Sequence, residues 1–215
     1  SSATNKLIQN IDMVKELVTA VNFTDNQAAM PRMTSWACSQ VALNQGAEPV
    51  LQMSARNRSR GSVQSEVIGA TALGVRNVLC VTGDSAKLSP APRDNMQIND
   101  LDAIQMLWVL RRMRDEKKYL DGREIKNPPM FFLGAAASPF SSNVKFQALR
   151  EQKKVNAGAQ FSIKLNAQEE GIQIALEILG KIKAYEKQGI SGIQLMPVGW
   201  DEIIPRIVTE AGLAP

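Results

Sequence analysis

The sequence predicts an α/β protein built around a parallel β-sheet. Short apolar runs rich in Val, Ile and Phe alternate with longer segments of helical period along the 215 residues. The short runs are nearly continuous in apolar residues, as expected for parallel strands that are covered on both faces. Such alternation is typical of βαβ units, whose sheet is either open or closed into a barrel.

The predicted strands are the short apolar runs, and the predicted helices are the periodic segments between them. The strands are expected at residues 18–23, 49–53, 77–81, 130–133 and 191–195. The helices are expected at residues 5–16, 28–45, 62–74, 100–115, 143–157, 167–188 and 201–211.

Local signals mark several boundaries of these elements. Residues 85–99 follow a strand, contain Pro90 and Pro92 and lack periodicity, so they predict a long loop. Residues 166–169, Asn-Ala-Gln-Glu, have the pattern of a capping box, and Gly189 marks the opposite end of that helix.

The alternation of strands and helices breaks after the helix that ends near Ala157. Residues 158–161 have the pattern of an entry to a further strand, but residues 162–166 lead directly into the next helix. Either this strand has two or three residues, or residues are absent between Phe161 and Ser162.

The composition excludes several kinds of chemistry. The chain has no histidine, which excludes Ser-His-Asp and Cys-His catalysis and the HExxH zinc site within these residues. Cys38 and Cys80 form no CxxC motif, so neither a metal site nor a disulfide framework is expected. Any catalysis must therefore depend on a borrowed cofactor.

Charge and hydropathy indicate a protein that binds neither nucleic acid nor membrane. The net charge is +4, and aromatic residues make up 5% of the chain, too few for a nucleic-acid surface. No apolar run reaches the roughly 18 residues of a membrane span, and we expect a cytoplasmic protein. Arg56, Arg58 and Arg60 predict a local anion site, with solvated loop charge as the alternative.

Polar and small residues follow four of the predicted strands, at the edge where ligands of parallel α/β proteins bind. After the third strand, Gly83 permits close approach of a ligand to the backbone, and Asp84 would place a carboxylate at this edge. Alternatively, Asp84 caps the following turn. The four segments are residues 24–27, 52–58, 82–84 and 134–139.

Residues 134–137, Gly-Ala-Ala-Ala, allow a planar ring to lie against the backbone, with tight strand–helix packing as the alternative. Cys80 lies within a strand, where an inert buried thiol is the expected role.

Several segments in collinear order resemble the methylenetetrahydrofolate reductase family. The longest are Gln52-Met-Ser-Ala-Arg-Asn-Arg-Ser-Arg60 and residues 64–84, which contain Leu-Gly-Val-Arg-Asn and end in Thr-Gly-Asp. The shorter ones are residues 21–26, 131–136, 154–161 and 192–196.

This resemblance implies a (β/α)8 TIM barrel that holds a flavin, either FAD or FMN, at the carboxyl ends of its strands. It also implies flavin-dependent reduction of 5,10-methylenetetrahydrofolate to 5-methyltetrahydrofolate in one-carbon metabolism. The electron donor would be NAD(P)H or a partner flavoprotein. The protein would be a homo-oligomer or part of a hetero-complex with electron-transfer subunits.

The resemblance assigns roles residue by residue. Asp84 would be catalytic, stabilising the cationic iminium form of the folate and opposing excess negative charge on the reduced flavin. Asn57 would contact the substrate, at a position where many members have aspartate. The implied flavin-binding residues are Thr24, Gln52, Thr82, Gly83, Asp84, Ala136, Ser138 and Lys154.

Two family features have no counterpart in the sequence. These are a first strand with a general-acid glutamate, and a Thr-Gln pair, whose glutamine contacts folate, on the strand that Phe161 begins. We therefore expect 1–215 to be a single flavin-binding barrel domain from which the first strand and the region around strands 6–7 are missing. The gaps would lie before residue 1 and between Phe161 and Ser162; the alternative is a truncated relative. The alternative function is a non-catalytic or electron-relay flavoprotein subunit of a larger complex.

Overall fold

A computed structural model of the chain describes residues 2–90, 97–137, 144–165, 193–196 and 204–212. Within these ranges, one six-stranded sheet has its strands in sequence order. Each strand pairs in parallel with the next one along the chain. The predicted α/β class with a parallel sheet is therefore confirmed.

The elements alternate along the chain as βαβ units require. The strands are β1 (Val21–Phe23), β2 (Pro49–Ser54), β3 (Asn77–Val81), β4 (Phe132–Ala137), β5 (Phe161–Leu165) and β6 (Ile193–Met196). The helices are α1 (Ser2–Val14), α2 (Ser35–Asn44), α3 (Arg60–Ala72), α4 (Ala103–Arg111), α5 (Val144–Ala157) and α6 (Ile204–Glu210).

The position predicted for β4 is wrong. The expected strand at 130–133 overlaps only its start, and residues 134–137 belong to the strand and not to a loop after it. Ala135 pairs with Cys80 of β3 on one side and with Ser162 of β5 on the other. Backbone pairing on both sides thus holds residues of low strand propensity in an extended conformation.

Helix α2 is shorter than the predicted helix at 28–45. Met30, directly before Pro31, has an extended backbone, as the steric effect of proline favours. The helix begins at Ser35, and Thr34 is its N-cap. The Thr34 hydroxyl accepts a hydrogen bond from the Ala37 N–H at 3.2 Å.

Helix α4 has a capping box that the sequence analysis missed. Asp102 accepts from the Gln105 N–H at 2.8 Å, and the Gln105 side chain accepts from the Asp102 N–H at 2.9 Å. The helix therefore starts at Ala103, and Arg112–Glu116 continue it as a π-helix.

Strand β5 is longer than the two or three residues predicted for it. Phe161–Leu165 form one strand that pairs with β4 and β6, so pairing on both sides extends it beyond the apolar entry at Phe161. The absence of residues between Phe161 and Ser162 stays a prediction. The predicted helix at 167–188 and its capping box lie outside the described residues.

The main core lies between the sheet and helices α3 and α4. Alternate strand residues such as Met53, Val78 and Leu133 point to this side and are fully buried. The helices contribute Val67 and Leu110 among others. The intervening strand positions point to the opposite face, where Val50 and Leu79 form a smaller cluster with the ring of Phe161 packed against it.

On that opposite face, the ring of Phe161 lies directly over Gly134. A Cβ atom at position 134 would lie 2.2 Å from Phe161 Cε2, closer than real Cβ contacts permit. Gly134 is therefore required by packing between β4 and β5. The sequence predicts either strand–helix packing or a planar ligand at this position.

We predict that Gly134→Ala lowers the free energy of unfolding by about 1–3 kcal/mol, because the half-buried ring of Phe161 must move. Urea denaturation measures the change. A Phe161→Leu background should recover part of the loss, since the smaller side chain leaves room for the methyl group. Gly69→Ala on α3 is the matched control, because its Cβ would meet nothing within 4 Å. A loss for Gly134→Ala no larger than that of Gly69→Ala would contradict the assignment.

Candidate active site

The carboxyl ends of β1 and β2 place an ordered amide pair at the ligand-binding edge of the sheet. Gln52 in β2 accepts a hydrogen bond through Oε1 from Asn22 Nδ2 in β1 at 3.2 Å. Its backbone carbonyl accepts from the hydroxyl of Ser35, the first residue of α2, at 2.7 Å. These contacts from two elements orient the predicted flavin-binding residue Gln52, which is buried.

A buried ion pair joins the loops that follow β1 and β2. The Asp25 side chain is 1% exposed, and its Oδ2 accepts from the Ser54 N–H at 2.8 Å and from the guanidinium of Arg58. Arg58 also donates to the Ser54 carbonyl at 3.0 Å and to Glu66 Oε2 on α3 at 2.8 Å. Burial opposes the charged form of Arg58, but the carboxylates of Asp25 and Glu66 outweigh it and raise the pKa of Arg58.

The neighbouring arginines are also engaged within the chain. Arg60 contacts Asp100 through its side chain and its backbone N–H, which lowers the pKa of Asp100 to about 2. Arg56 donates to Gln97 Oε1 at 3.3 Å. Arg58 and Arg60 thus pair with carboxylates of the chain itself, and binding of an external anion by this cluster stays a prediction. The sequence does not predict the pairing of Arg58 with Asp25. The signal that could have indicated it is that the two residues follow neighbouring strands, β2 and β1.

The end of β3 approaches the end of β2 so closely that it requires glycine. Gly83 has φ +90°, and a Cβ atom there would lie 1.9 Å from Ser54 Oγ. Thr82, beside it, accepts from the Ala103 N–H through its hydroxyl at 3.3 Å and from the Arg56 N–H through its carbonyl at 3.0 Å. The sequence predicts close approach of a ligand at Gly83, but the Ser54 side chain occupies that space.

Asp84 is exposed and is held by the loop after β1. Its Oδ2 accepts from the Ala28 N–H at 2.6 Å, and its carbonyl accepts from Gln97 Nε2 at 2.6 Å. The turn that follows Asp84 is capped by the Ser85 hydroxyl, so the alternative that Asp84 caps this turn is wrong. The Asp84 carboxylate is thus held at the edge of the sheet by a residue that lies 56 positions earlier in the chain.

A small cavity of about 110 Å³ lies between the ends of β3 and β4 and the helices α4 and α5. Lys154 is 6% exposed beside it and donates to the Ala136 carbonyl and to Glu151 Oε1, the latter at 2.7 Å. Burial raises the pKa of the Cys80 thiol, as the prediction of an inert buried cysteine requires. The lining residues are Cys80, Val81, Thr82, Ala103, Ala136, Gln147, Arg150 and Lys154.

The structure brings some of the predicted site residues together and separates others. Thr82, Ala136 and Lys154 line one cavity. Gly83 and Asp84 lie at the same strand end, but Gly83 approaches Ser54 of β2 and Asp84 contacts the loop after β1, as described above. Thr24 directly follows β1, and Asn57 ends the short 3-10 turn Ala55–Asn57 after β2. Ser138 lies outside the described residues.

No helix among residues 2–90, 97–137, 144–165, 193–196 and 204–212 is long and apolar enough to span a bilayer. In the same ranges, no three side chains among Cys, Asp and Glu gather into a candidate metal site.

The chain is a parallel α/β protein: its strands lie in sequence order and helices pack against one face of the sheet. Its polar residues gather at the carboxyl edge, where proteins of this class bind ligands. A family model described as Methylenetetrahydrofolate reductase matches residues 1–166. The chain therefore belongs to the methylenetetrahydrofolate reductase family, which confirms the resemblance in its sequence. No curated protein matches the chain.

Proposed function

We propose that the chain reduces 5,10-methylenetetrahydrofolate to 5-methyltetrahydrofolate, using hydride from a reduced flavin, in one-carbon metabolism. The observation that carries this proposal is the family match over residues 1–166, which includes Gly83 and Asp84 at the end of β3. The protein would be an oxidoreductase acting on CH–NH groups. NAD(P)H or a partner flavoprotein would supply the electrons.

The residues at the carboxyl edge are of the types that a flavin requires. Ala136 in β4 carries a small side chain that leaves room for a planar ring beside the backbone, whereas the Ser54 hydroxyl fills the side-chain position of Gly83. Gln52 offers an amide, Thr82 a hydroxyl and Lys154 a cation. Thr24 and Ser138 complete the proposed set. The cavity beside Lys154 suits only part of such a ligand, since pockets for whole ligands measure roughly 300–1,000 Å³.

A flavin supplies the hydride chemistry when bound, and the chain supplies position and charge. Asp84 is the proposed catalytic residue, because its exposed carboxylate lies at the carboxyl edge of the sheet, where we place the folate. The charge of this carboxylate would stabilise the cationic iminium form of the folate and disfavour excess negative charge on the reduced flavin. The hydrogen bond from the Ala28 N–H occupies Oδ2 and fixes the direction of the carboxylate. Asn57 is the proposed substrate contact.

The wider organisation follows from the same proposal. We propose that residues 1–215 belong to one flavin-binding domain whose sheet closes into a (β/α)8 barrel. Strands that lie in sequence order, as β1 to β6 do, support this proposal, because a barrel has the same order. We further propose a cytoplasmic location, and a homo-oligomer or a complex with electron-transfer subunits.

We predict that the purified full chain is yellow and oxidises 5-methyltetrahydrofolate with an artificial electron acceptor. Asp84→Asn should lower this turnover by about 10²-fold, because an oriented charge is lost, while flavin absorbance is retained. Asp121→Asn, in an exposed ion pair with Arg123, is the matched control and should leave turnover unchanged. A colourless chain that takes up neither FAD nor FMN would overturn the proposed function; equal turnover in the Asp84 and Asp121 variants would remove the role of Asp84.

A second candidate function is a non-catalytic or electron-relay flavoprotein subunit. It is favoured by β5, where Phe161 is followed by Ser-Ile-Lys-Leu and not by the folate-binding glutamine that the resemblance implies. Turnover of folate by the isolated chain with NADH or NADPH would decide against this candidate. Flavin binding without any folate turnover would favour it.

A further inference from the structure

Three loops meet at the carboxyl edge, and polar contacts link them into one unit. We call them the first loop (residues 24–30, after β1), the second loop (residues 55–59, after β2) and the third loop (residues 82–85, after β3). The first loop is bound on both sides. Asp25 holds Arg58 of the second loop, and the Ala28 N–H donates to Asp84 of the third loop.

We propose that Asp25 is a positioning residue for Asp84. Its ion pair with Arg58 anchors the first loop so that the Ala28 N–H meets the Asp84 carboxylate. The importance of Asp25 for catalysis rests on the proposed function of Asp84. The structural coupling between the two aspartates holds independently of that function.

The anchor at Asp25 is strong because it is buried and leads to the core. The Asp25 side chain is 1% exposed, and both Asp25 and Arg58 hydrogen-bond to the backbone of Ser54, the last residue of β2. A hydrogen bond to a charged group is stronger than one between neutral groups, and burial removes the competition from water. The first loop is therefore connected to the end of the core strand β2, directly through Asp25 and also through Arg58 of the second loop.

The first loop needs such an anchor because its backbone is strained. Asn26, Ala28 and Ala29 have φ values of +48°, +56° and +52°. For alanine this left-handed conformation is unfavourable, because it brings Cβ too close to the following carbonyl oxygen. Without the contact at Asp25, Ala28 returns to a commoner conformation, which turns its N–H away from Asp84.

The test measures amide hydrogen exchange of Ala28 by NMR in the full chain with its retained flavin. Asp25→Asn is expected to speed this exchange about tenfold, the factor that the loss of about 1.4 kcal/mol produces. Asp84→Ala should speed it to a similar extent, because it removes the acceptor. Glu66→Gln is the matched control: it weakens the other contact of Arg58 and should leave Ala28 exchange at the parental rate.

Activity provides a second readout on the same variants. Asp25→Asn should lower kcat for methyltetrahydrofolate oxidation about tenfold with unchanged flavin content, and Glu66→Gln should not. Should Asp25→Asn fail to fold, Arg58→Lys replaces it, because lysine cannot hold two carboxylates in the geometry of a guanidinium. Parental Ala28 exchange in the variant that folds, or equal acceleration in Glu66→Gln, would overturn the proposal. If the parent chain neither binds flavin nor turns over folate, the proposed function fails, and the exchange rates still decide the coupling.

Discussion

Replacing Arg58 with methionine is expected to lower the free energy of unfolding by about 3–5 kcal/mol, the usual cost of removing one partner of a buried ion pair. The reason is the buried carboxylate of Asp25, which loses its cationic partner. The Asp25 side chain is 1% exposed, so without Arg58 its carboxylate is left in the protein interior with the Ser54 N–H as its remaining donor among the described residues. Methionine retains most of the apolar stem of arginine, which keeps the packing loss small.

Arg60→Met provides the matched control for this experiment. It makes the same substitution in the same segment, but the Arg60 side chain is 61% exposed where it meets Asp100. Exposed pairs contribute about 0–1 kcal/mol, so the expected loss is at most about 1 kcal/mol. Both variants are compared by urea denaturation at matched flavin content, since a ligand bound to the native state raises apparent stability.

The double variant Asp25→Leu with Arg58→Met separates the lost attraction from the cost of the unpaired charge. Removing both partners leaves no buried charge, so the double variant should be more stable than Arg58→Met alone. Equal losses in Arg58→Met and Arg60→Met would show that burial of the Asp25–Arg58 pair does not matter for stability.

The strands that the sequence predicts well are those with a continuous apolar run between polar residues. The prediction for β3 at 77–81 matches the structure, and β2 extends the predicted strand to Ser54. In β4 the hydrophobic signal ends at Leu133, although the strand continues to Ala137. Small residues carry no periodic signal, and pairing with both neighbouring strands decides their conformation.

The candidate site was predictable as a region but not as a set of contacts. Polar residues after the strands indicate the carboxyl edge, and the resemblance to the family, confirmed by the match over residues 1–166, adds Asp84. The partner of Asp84 is a backbone N–H 56 residues earlier, and a backbone group has no sequence signature. The sequence does not predict the partner of Arg58 for a similar reason, since the burial that pairs it with Asp25, 33 residues away, arises only in the folded chain.

Gly83→Ala is expected to lower the free energy of unfolding by about 2–4 kcal/mol, from two separate causes. The first is backbone strain, because φ at Gly83 is +90°, a value that alanine adopts at a cost of about 1–2 kcal/mol. The second is overlap, because the new Cβ atom would lie 1.9 Å from Ser54 Oγ. Urea denaturation measures the total loss.

Two further variants separate these causes. Gly46→Ala has φ +75° with nothing within 4 Å of its Cβ, so it should show the strain alone, about 1 kcal/mol. Ser54→Ala removes a buried hydroxyl that has no hydrogen-bond partner among the described residues, so by itself it should change stability little. In that background Gly83→Ala should recover at least about 1 kcal/mol, because the nearest remaining contact is Ser54 Cβ at 3.1 Å. A loss that stays the same with and without Ser54 Oγ would mean that strain alone requires glycine at the residue before Asp84.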